Sequence, residues 1–190
     1  MYCVDRIFST TYEVKQSKFI AYLFPYDQYT QTLVELKEQH PKARHYVVAY
    51  RYLNEHQQIV EHSSDDGEPK GTSGKPSLFV LQGAEMIETA VIIVRYFGGT
   101  KLGTGGLVRA YSESVNAVLN EATLLEYKQE VTKKIILDYS NVSLVEYECE
   151  VNNITIVKKE FEKEVIYTLK ASESNMTLFL QNTQRLIKSI

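Results

Sequence analysis

The stretch from Arg95 to Tyr111 reads RYFGGTKLGTGGLVRAY. The segment Thr89–Phe97, which runs into it, is rich in Val and Ile and predicts a buried strand. A helix is predicted to begin near Gly106, because apolar residues then recur at helical spacing. They form one stripe: Leu107, Tyr111, Val115, Val118 and Ala122. Such a stripe needs a sheet to cover, so the stretch predicts a strand, a glycine-rich loop and a helix in a mixed α and β domain.

The residues around this stretch extend the same pattern towards the start of the chain. Strands are predicted over Phe19–Phe24, His45–Tyr50 and Ser77–Gln82, where Val, Ile, Phe and Tyr are frequent. A helix is predicted from about Asp27, a suitable N-cap residue, and it ends before Pro41. The first half of the chain is therefore expected to be a sheet with at least two helices.

The second half of the chain is built differently. All nine glycines lie between Gly67 and Gly106, and the last proline is Pro76. This asymmetry predicts two domains, over residues 1–126 and 127–190. The second domain shows a strand to about Tyr139 and a helix over 140–151, then strands around 154–157 and 165–170, and a final helix.

Ser172 can cap that final helix. Its inner face is predicted from helical spacing: Met176, Phe179, Thr183 and Ile187. The order βαββα predicts a ferredoxin-like arrangement that lacks its last strand. The expected class is therefore α+β throughout, with the helices of the second domain on one face of a small antiparallel sheet.

Composition narrows the classes of function. The net charge of −3 argues against a chain that coats nucleic acid through bulk positive charge, so any such contact must be local. No uncharged stretch approaches the ~18 residues of a membrane helix, and the start of the chain has no apolar run that would mark a secretory signal. Cys3 and Cys149 have neither disulfide-framework nor zinc-site spacing and are expected to be reduced thiols. We expect a cytoplasmic protein without a metal site.

The glycine-rich loop is the first candidate site. Consecutive glycines let backbone N–H groups converge, and a helix N-terminus adds partial positive charge, so the loop can bind an anion. The candidate phosphate-binding or ligand-binding residues are Lys75, Arg95, Gly98, Gly99, Lys101, Gly103, Gly105, Gly106 and Arg109. Neither a Walker loop nor a GxGxxG motif is present, since Thr104 and Gly105 follow Gly103 and Val108 replaces the last glycine. The alternative is that several of these glycines serve tight turns and close packing.

The second candidate is an acidic and hydroxylic segment over residues 61–76, EHSSDDGEPKGTSGKP. Together with His45 it can form a polar cleft, whose candidate residues are His45, Asp65, Asp66, Glu68, Thr72 and Ser73. The favoured alternative is a solvated turn, bent at Asp66-Gly67, with His45 as a structural strand residue. No nucleophile motif surrounds the serines, so no catalytic residue is assigned. Tyrosines such as Tyr111 are expected to fill the edge of the core with the hydroxyl reaching outward.

These two segments together resemble the signature of the YigZ/IMPACT family, over the whole chain. The stretches Ser17–Ile20 and Ala43–His45 fit the same signature. The resemblance implies a first domain folded like the second domain of a small-subunit ribosomal protein, as in domain IV of elongation factor G, and a second domain like domain V of that factor. It also implies a link to translational control, in which the eukaryotic relatives act, whereas for bacterial members it implies no reaction.

The leading hypothesis is therefore a non-enzymatic protein that associates with RNA or the ribosome and is linked to translation regulation. The domain pairing and the local basic segment of an acidic chain favour it. The competing hypothesis is an enzyme or sensor for a small phosphorylated or anionic ligand, with the acidic and basic loops as opposite walls of one cleft. No cofactor and no membrane partner are expected. A protein partner stays open, and the oligomeric state is not predicted.

Overall fold

A computed structural model describes residues 1–189 and divides the chain into two compact units, Met1–Tyr127 and a second that begins at Lys128. The elements of the first unit are β1 (Tyr2–Cys3), β2 (Phe8–Val14), β3 (Ser17–Pro25), α1 (Tyr29–Gln39), β4 (His45–Leu53), β5 (Ile59–Ser64), α2 (Gly74–Gly83), β6 (Thr89–Tyr96), α3 (Gly103–Glu121) and β7 (Leu125–Glu126). Those of the second are β8 (Glu130–Leu137), α4 (Val142–Val151), β9 (Thr155–Phe161), β10 (Val165–Ser172), α5 (Glu173–Thr183) and β11 (Ile187–Ser189). The α+β class is confirmed.

The first unit is a five-stranded antiparallel sheet in the order β2-β3-β6-β4-β5, with helices on both faces. Because side chains alternate along a strand, one face of β6 points Val91 and Ile93 at α2 and α3, and the other points Ile92 and Val94 at α1. β6 is central and covered on both faces, which explains its unbroken run of apolar residues. The predicted strand before the glycine-rich loop is confirmed in this position.

Helix α3 covers the sheet with the stripe predicted from its spacing. Leu107, Tyr111, Val115 and Val118 are all buried in the core that the sheet and α2 complete. Ala122 lies just beyond the last helical residue and is packed against the same core. The helix begins at Gly103, three residues earlier than the glycine spacing suggested.

The strand predicted over Ser77–Gln82 is wrong, because these residues lie in helix α2. The run Ser-Leu-Phe-Val-Leu is short and apolar, and such runs do not distinguish a strand from a buried helix. The helix is favoured by a residue outside this run. Asp65 accepts hydrogen bonds from the backbone N–H groups of Ser73 and Gly74 at the start of α2. Pro76 in the first turn is compatible with this helix.

Strands β2 and β5 were not predicted. β2 and β3 form a hairpin whose turn residues, Lys15 and Gln16, both have positive φ, at 46° and 63°. Turns of this kind usually carry Asn-Gly or Asp-Gly, so a Lys-Gln turn leaves no signal in the sequence. Along β2, half-buried and exposed residues alternate, as expected for a strand covered on one face.

The second unit is ferredoxin-like: an antiparallel sheet in the order β11-β8-β10-β9 with α4 and α5 packed on one face. The prediction that the last strand is missing is wrong, since β11 pairs with β8 at Ile187 and Leu137. The predicted final helix ends at Thr183, so Ile187 belongs to that strand. Ser172 caps α5 by accepting from the Asn175 N–H at 3.3 Å, and Met176, Phe179 and Thr183 are buried, as predicted.

Among residues 1–189, no helix has both the length and the apolar character needed to cross a membrane.

Candidate functional site

The glycine-rich loop joins the end of β6 to the start of α3. Gly99 and Gly103 have φ of +87° and +73°, a conformation that favours glycine. Gly98 is required for a different reason: a Cβ there would overlap the backbone of Gln16 and Ser17, and its N–H donates to Ser17 Oγ at 3.1 Å. The structural alternative therefore holds for Gly98, which fastens the loop to the β2–β3 turn.

A cavity of about 330 Å³ opens beside this loop. We call it the α3 pocket. It is lined by Glu68, Pro69, Arg95, Phe97, Lys101, Leu102, Gly103, Thr104 and Leu107. The acidic segment thus contributes Glu68 and Pro69 to one wall, and the basic segment contributes the rest. The two segments thus meet at this cavity.

Glu68 is the buried centre of a polar cluster at the pocket. Its Oε1 accepts from Arg95 Nη1 at 2.5 Å and from the Tyr111 hydroxyl at 2.8 Å. Glu68 and Arg95 are 8% and 7% exposed, so both charges lie nearly out of water and neutralise each other. Burial and the adjacent Glu68 carboxylate raise the pKa of Tyr111, which stays a hydrogen-bond donor at neutral pH.

Two predictions about this cluster are corrected by its geometry. The favoured interpretation of the acidic segment as a solvated turn does not apply to Glu68, which is buried and paired. Tyr111 does not sit at the edge of the core with its hydroxyl outward; it is 0% exposed and its hydroxyl points to Glu68. The bend at Asp66-Gly67 is present, since both residues have positive φ.

Arg95 keeps an unused hydrogen-bond donor. Its Nε is buried and has no hydrogen-bond partner among the described residues. The guanidinium lies over the ring of Phe19 at 5.3 Å and over that of Phe97 at 5.8 Å, measured to the ring centres. Buried donors without partners are rare in folded proteins. Arg95 is thus held in place by Glu68 and two aromatic rings while part of its donor capacity stays free.

The remaining acidic residues hold the backbone together. Asp65 accepts from the N–H groups of Gly71, Ser73 and Gly74 and from the Ser73 hydroxyl, at 2.7 to 3.2 Å. Burial opposes ionisation of Asp65, but these four hydrogen bonds outweigh it and lower its pKa. Thr72 is likewise used locally, through its hydroxyl on the Pro69 carbonyl at 2.7 Å. These side chains shape the loop before α2 and are absent from the lining of the α3 pocket.

Asp66 and His45 form a second local contact. The Asp66 carboxylate accepts from the Tyr46 N–H at 2.6 Å, and its carbonyl accepts from His45 Nδ1 at 2.8 Å. Since a carbonyl only accepts, Nδ1 carries the hydrogen and Nε2 faces Glu68 at 4.0 Å. His45 therefore borders the buried cluster from the side of β4.

Lys75 and Arg109 lie elsewhere. Lys75 lines a separate groove of about 370 Å³ between α2 and α3, formed with Gly71, Pro76, Phe79, Val80, Val108 and Ser112. We call it the α2 groove. Arg109 is exposed on α3 and lines neither cavity. Of the predicted anion-binding residues, the α3 pocket brings together Arg95, Lys101 and Gly103; Gly105 and Gly106 follow in the first turn of α3.

Sequence reasoning missed the apolar part of the pocket. Phe97 was predicted only as the end of a strand, yet it is 55% exposed and lines the pocket with Pro69, Leu102 and Leu107. The sequence does not mark this exposure, because it depends on where β6 ends. In residues 1–189 no cluster of three or more His, Cys, Asp or Glu side chains could hold a metal ion.

The fold and this pocket define a two-unit α+β protein whose first unit carries a loop-and-helix pocket. The Impact N-terminal domain matches residues 15–119. An IMPACT family member of Haemophilus influenzae is 37% identical over 177 residues, which cover 88% of this chain and 82% of that protein. The IMPACT family member YigZ of Escherichia coli is 44% identical over 116 residues, covering 58% of this chain and 56% of that protein.

A solved crystal structure of a hypothetical protein superposes with a TM-score of 0.72 at 27% sequence identity, covering 100% of this chain and 96% of that one. The chain belongs to the IMPACT family.

Proposed function

We propose that this chain is a binding protein that associates with RNA or the ribosome and takes part in translation regulation. Family membership supports the link to translation. The observation that carries the proposal is the amino end of α3, where exposed backbone at Gly103, Thr104 and Gly105 lies beside the exposed Lys101. Phosphate groups are the RNA component that such a surface binds.

The first turn of α3 is open for an anion. Leu102 occupies the N-cap position, with no side-chain capping hydrogen bond, and no acidic residue lies in the first turn. The first N–H groups of a helix have no partner within the helix, so here they are available to an external acceptor. The positive end of the helix dipole, at this same point, favours a negatively charged one.

The surface around α3 carries only a few positive charges, which suits a small and local contact with phosphate groups. Residues 91–111 contain Arg95, Lys101 and Arg109 and no acidic residue. Because Glu68 already neutralises Arg95, the net positive charge of this surface comes from Lys101 and Arg109. An acidic chain with two such cations should make few phosphate contacts, and its affinity should depend weakly on salt.

Fluorescence anisotropy with a labelled RNA hairpin at several salt concentrations tests the proposal. We expect log K to fall with log salt at a slope of about −1.4, which corresponds to two phosphate contacts in the single-stranded loop of the hairpin. Lys101→Glu should weaken binding at least about tenfold, and Lys101→Ala should reduce the slope by about 0.7.

Lys42→Glu is the matched control. Lys42 is exposed and follows α1, which packs on the opposite face of the sheet, so this change of charge should leave the affinity unchanged. Binding no tighter than micromolar at low salt, together with equal effects of the Lys101 and Lys42 variants, would refute the proposal. Cosedimentation of the same variants with ribosomes shows whether the RNA is ribosomal.

A further inference from the structure

We propose that the α3 pocket binds a single 5′-phosphorylated nucleotide, with the phosphate at the amino end of α3 and the base against Phe97. This inference rests on the proposed function, because it names the part of an RNA that the pocket would take. The same chemistry occurs in a free nucleoside monophosphate and at the 5′ end of an RNA. The two sources are separated by the experiment below.

The phosphate half of the site has donors from three sources. The uncapped first turn of α3 presents backbone N–H groups, and Lys101 supplies a full positive charge at the rim. The third source is Arg95, which lines the pocket, is 7% exposed and keeps its Nε without a hydrogen-bond partner among the described residues. A phosphate oxygen is the acceptor that a guanidinium edge matches best.

Glu68 does not oppose an anion in this position. Its Oε1 is engaged by Arg95 Nη1 and by the Tyr111 hydroxyl, so its charge is balanced within the protein. The contact with Glu68 and the rings of Phe19 and Phe97 hold the guanidinium, so Arg95 needs little reordering to bind a ligand. Glu68 is thus a positioning residue for Arg95.

The base half of the site is apolar and open on one side. Phe97 is 55% exposed and forms a wall with Pro69, Leu102 and Leu107. Its ring already lies 5.8 Å from the Arg95 guanidinium on one side, which limits the ways in which it can turn. Bases stack on such aromatic rings in many proteins that bind single strands, largely without regard to sequence.

The size of the pocket limits the ligand to one nucleotide. At about 330 Å³ it lies at the small end of the range for ligand-binding sites. A phosphate and one base fill such a volume, whereas a run of stacked nucleotides needs an extended groove. The pocket therefore fits a free or terminal nucleotide better than the interior of a strand.

Isothermal titration of the full chain with 5′-AMP, adenosine and inorganic phosphate tests this inference. AMP should bind at least about tenfold more tightly than adenosine, because the phosphate adds charged hydrogen bonds. Phe97→Ala should weaken AMP binding about tenfold, since one stacking contact is lost. Lys101→Ala should weaken AMP binding and leave adenosine binding unchanged.

Phe79→Ala is the matched control, because Phe79 is also an exposed phenylalanine, 64% against 55% for Phe97, and it lines the neighbouring α2 groove. It should bind AMP as the unmodified chain does. Both phenylalanines are exposed, so both variants should fold, which thermal unfolding checks.

A short RNA with a 5′-phosphate, compared with the same RNA ending in a 5′-hydroxyl, separates the two sources. Tighter binding of the phosphorylated RNA than of both its 5′-hydroxyl counterpart and AMP identifies an RNA end as the ligand, and tighter binding of AMP than of the phosphorylated RNA identifies a free nucleotide. The inference is overturned when neither AMP nor phosphorylated RNA binds in a way that depends on Phe97 and Lys101. If the RNA hairpin still binds in that case, the proposed function stands without the nucleotide site. If AMP binds and no RNA binds, the nucleotide site stands and the proposed function is wrong.

Discussion

Glu68 and Arg95 meet inside the first unit although 27 residues separate them in the chain. Taking both charges out of water is costly, and the cost is recovered only while each keeps the other as its partner. The Tyr111 hydroxyl donates a further hydrogen bond to the Glu68 carboxylate. Removing one member therefore leaves the other buried without compensation, which makes the stability of the first unit sensitive to each of them.

Glu68→Ala should lower the free energy of unfolding by about 3–5 kcal/mol, because the Arg95 guanidinium stays buried without its counterion. Urea unfolding monitored by circular dichroism measures the change. Glu38→Ala, at an exposed position of α1, is the control and should change stability by less than about 0.5 kcal/mol. Equal effects of the two variants would mean that the Glu68–Arg95 pair adds nothing to stability.

Asp65 makes stability depend on pH. Its folded-state pKa is lowered from the ordinary 3.8, so the unfolded chain binds the proton more readily. The carboxylate therefore stabilises the fold above about pH 4, and this contribution is lost as the pH falls through the folded-state pKa. The stability difference between the unmodified chain and Asp65→Asn should shrink between about pH 6 and about pH 3.

Urea unfolding across that pH range measures this difference, with Asp27→Asn as the control. Asp27 is an exposed carboxylate in the turn before α1, so this variant controls for the loss of a surface charge. A difference for Asp65→Asn that stays constant with pH would contradict a lowered pKa.

Sequence signals predicted helices and strands correctly where those signals were local. The β6 strand, the glycine-rich loop and α3 were all predicted, because apolar runs, glycines and helical spacing are visible within a few residues. Helix α2 was misread as a strand, since its start is capped by Asp65, which lies eight residues before Ser73. A cap supplied from outside the element leaves no mark in the element's own sequence.

The α3 pocket could also be predicted only where its signals are local in the sequence. Arg95, Lys101 and Gly103 were named because basic and glycine residues form a visible pattern next to a helix start. The partner of Arg95 could not be named, because pairing it with Glu68 requires the positions of β6 and of the loop before α2. Phe97 was missed for a similar reason, since its exposure depends on where the strand ends.

The loop after β6 contains one glycine, Gly98, that lies against the backbone of the β2–β3 turn. Gly98→Ala would drive a Cβ into the Gln16 carbonyl, and backbone on both sides leaves no room to move. We expect a loss of at least about 3 kcal/mol in the free energy of unfolding. Gly105→Ala, in the first turn of α3 with nothing within 4 Å of the new Cβ, should instead be neutral or stabilise by up to about 1 kcal/mol.

Thermal unfolding of the two glycine variants measures both effects in one experiment. The Gly105 variant controls for the loss of a glycine as such. Similar unfolding temperatures would mean that the contact between the loop and the β2–β3 turn can relax without cost.

The two units differ in the candidate binding features that they contain. The α3 pocket, the α2 groove and the residues of the polar cluster all lie within residues 45–112. The second unit is a complete ferredoxin-like fold with its own core, and its surface pairs opposite charges, as in Lys158–Glu160 and Lys170–Glu130. Mixed charges of this kind are typical of a solvated surface, so the second unit is expected to influence the choice of partner more than the binding chemistry.

The core of the first unit is completed by residues of that unit. Every buried residue that the stripe of α3 packs against lies before residue 120, and the strand pair β1–β7 is completed at Glu126. The Tyr127 N–H adds a hydrogen bond to the Met1 carbonyl at 3.0 Å, so a fragment should end after this residue. We expect residues 1–127 to fold alone without exposing the apolar stripe of α3.

This fragment should show the circular dichroism of a folded α+β domain, unfold cooperatively and bind the RNA hairpin and 5′-AMP within about twofold of the full chain. The matched comparison is a fragment ending at 122, which keeps α3 but lacks β7 and should be less stable, because β1 loses its only strand partner in the described residues. A 1–127 fragment that aggregates would mean that the first unit needs the second to cover it. A folded fragment that no longer binds either ligand would place part of the site outside the first unit and overturn the assignment to the α3 pocket.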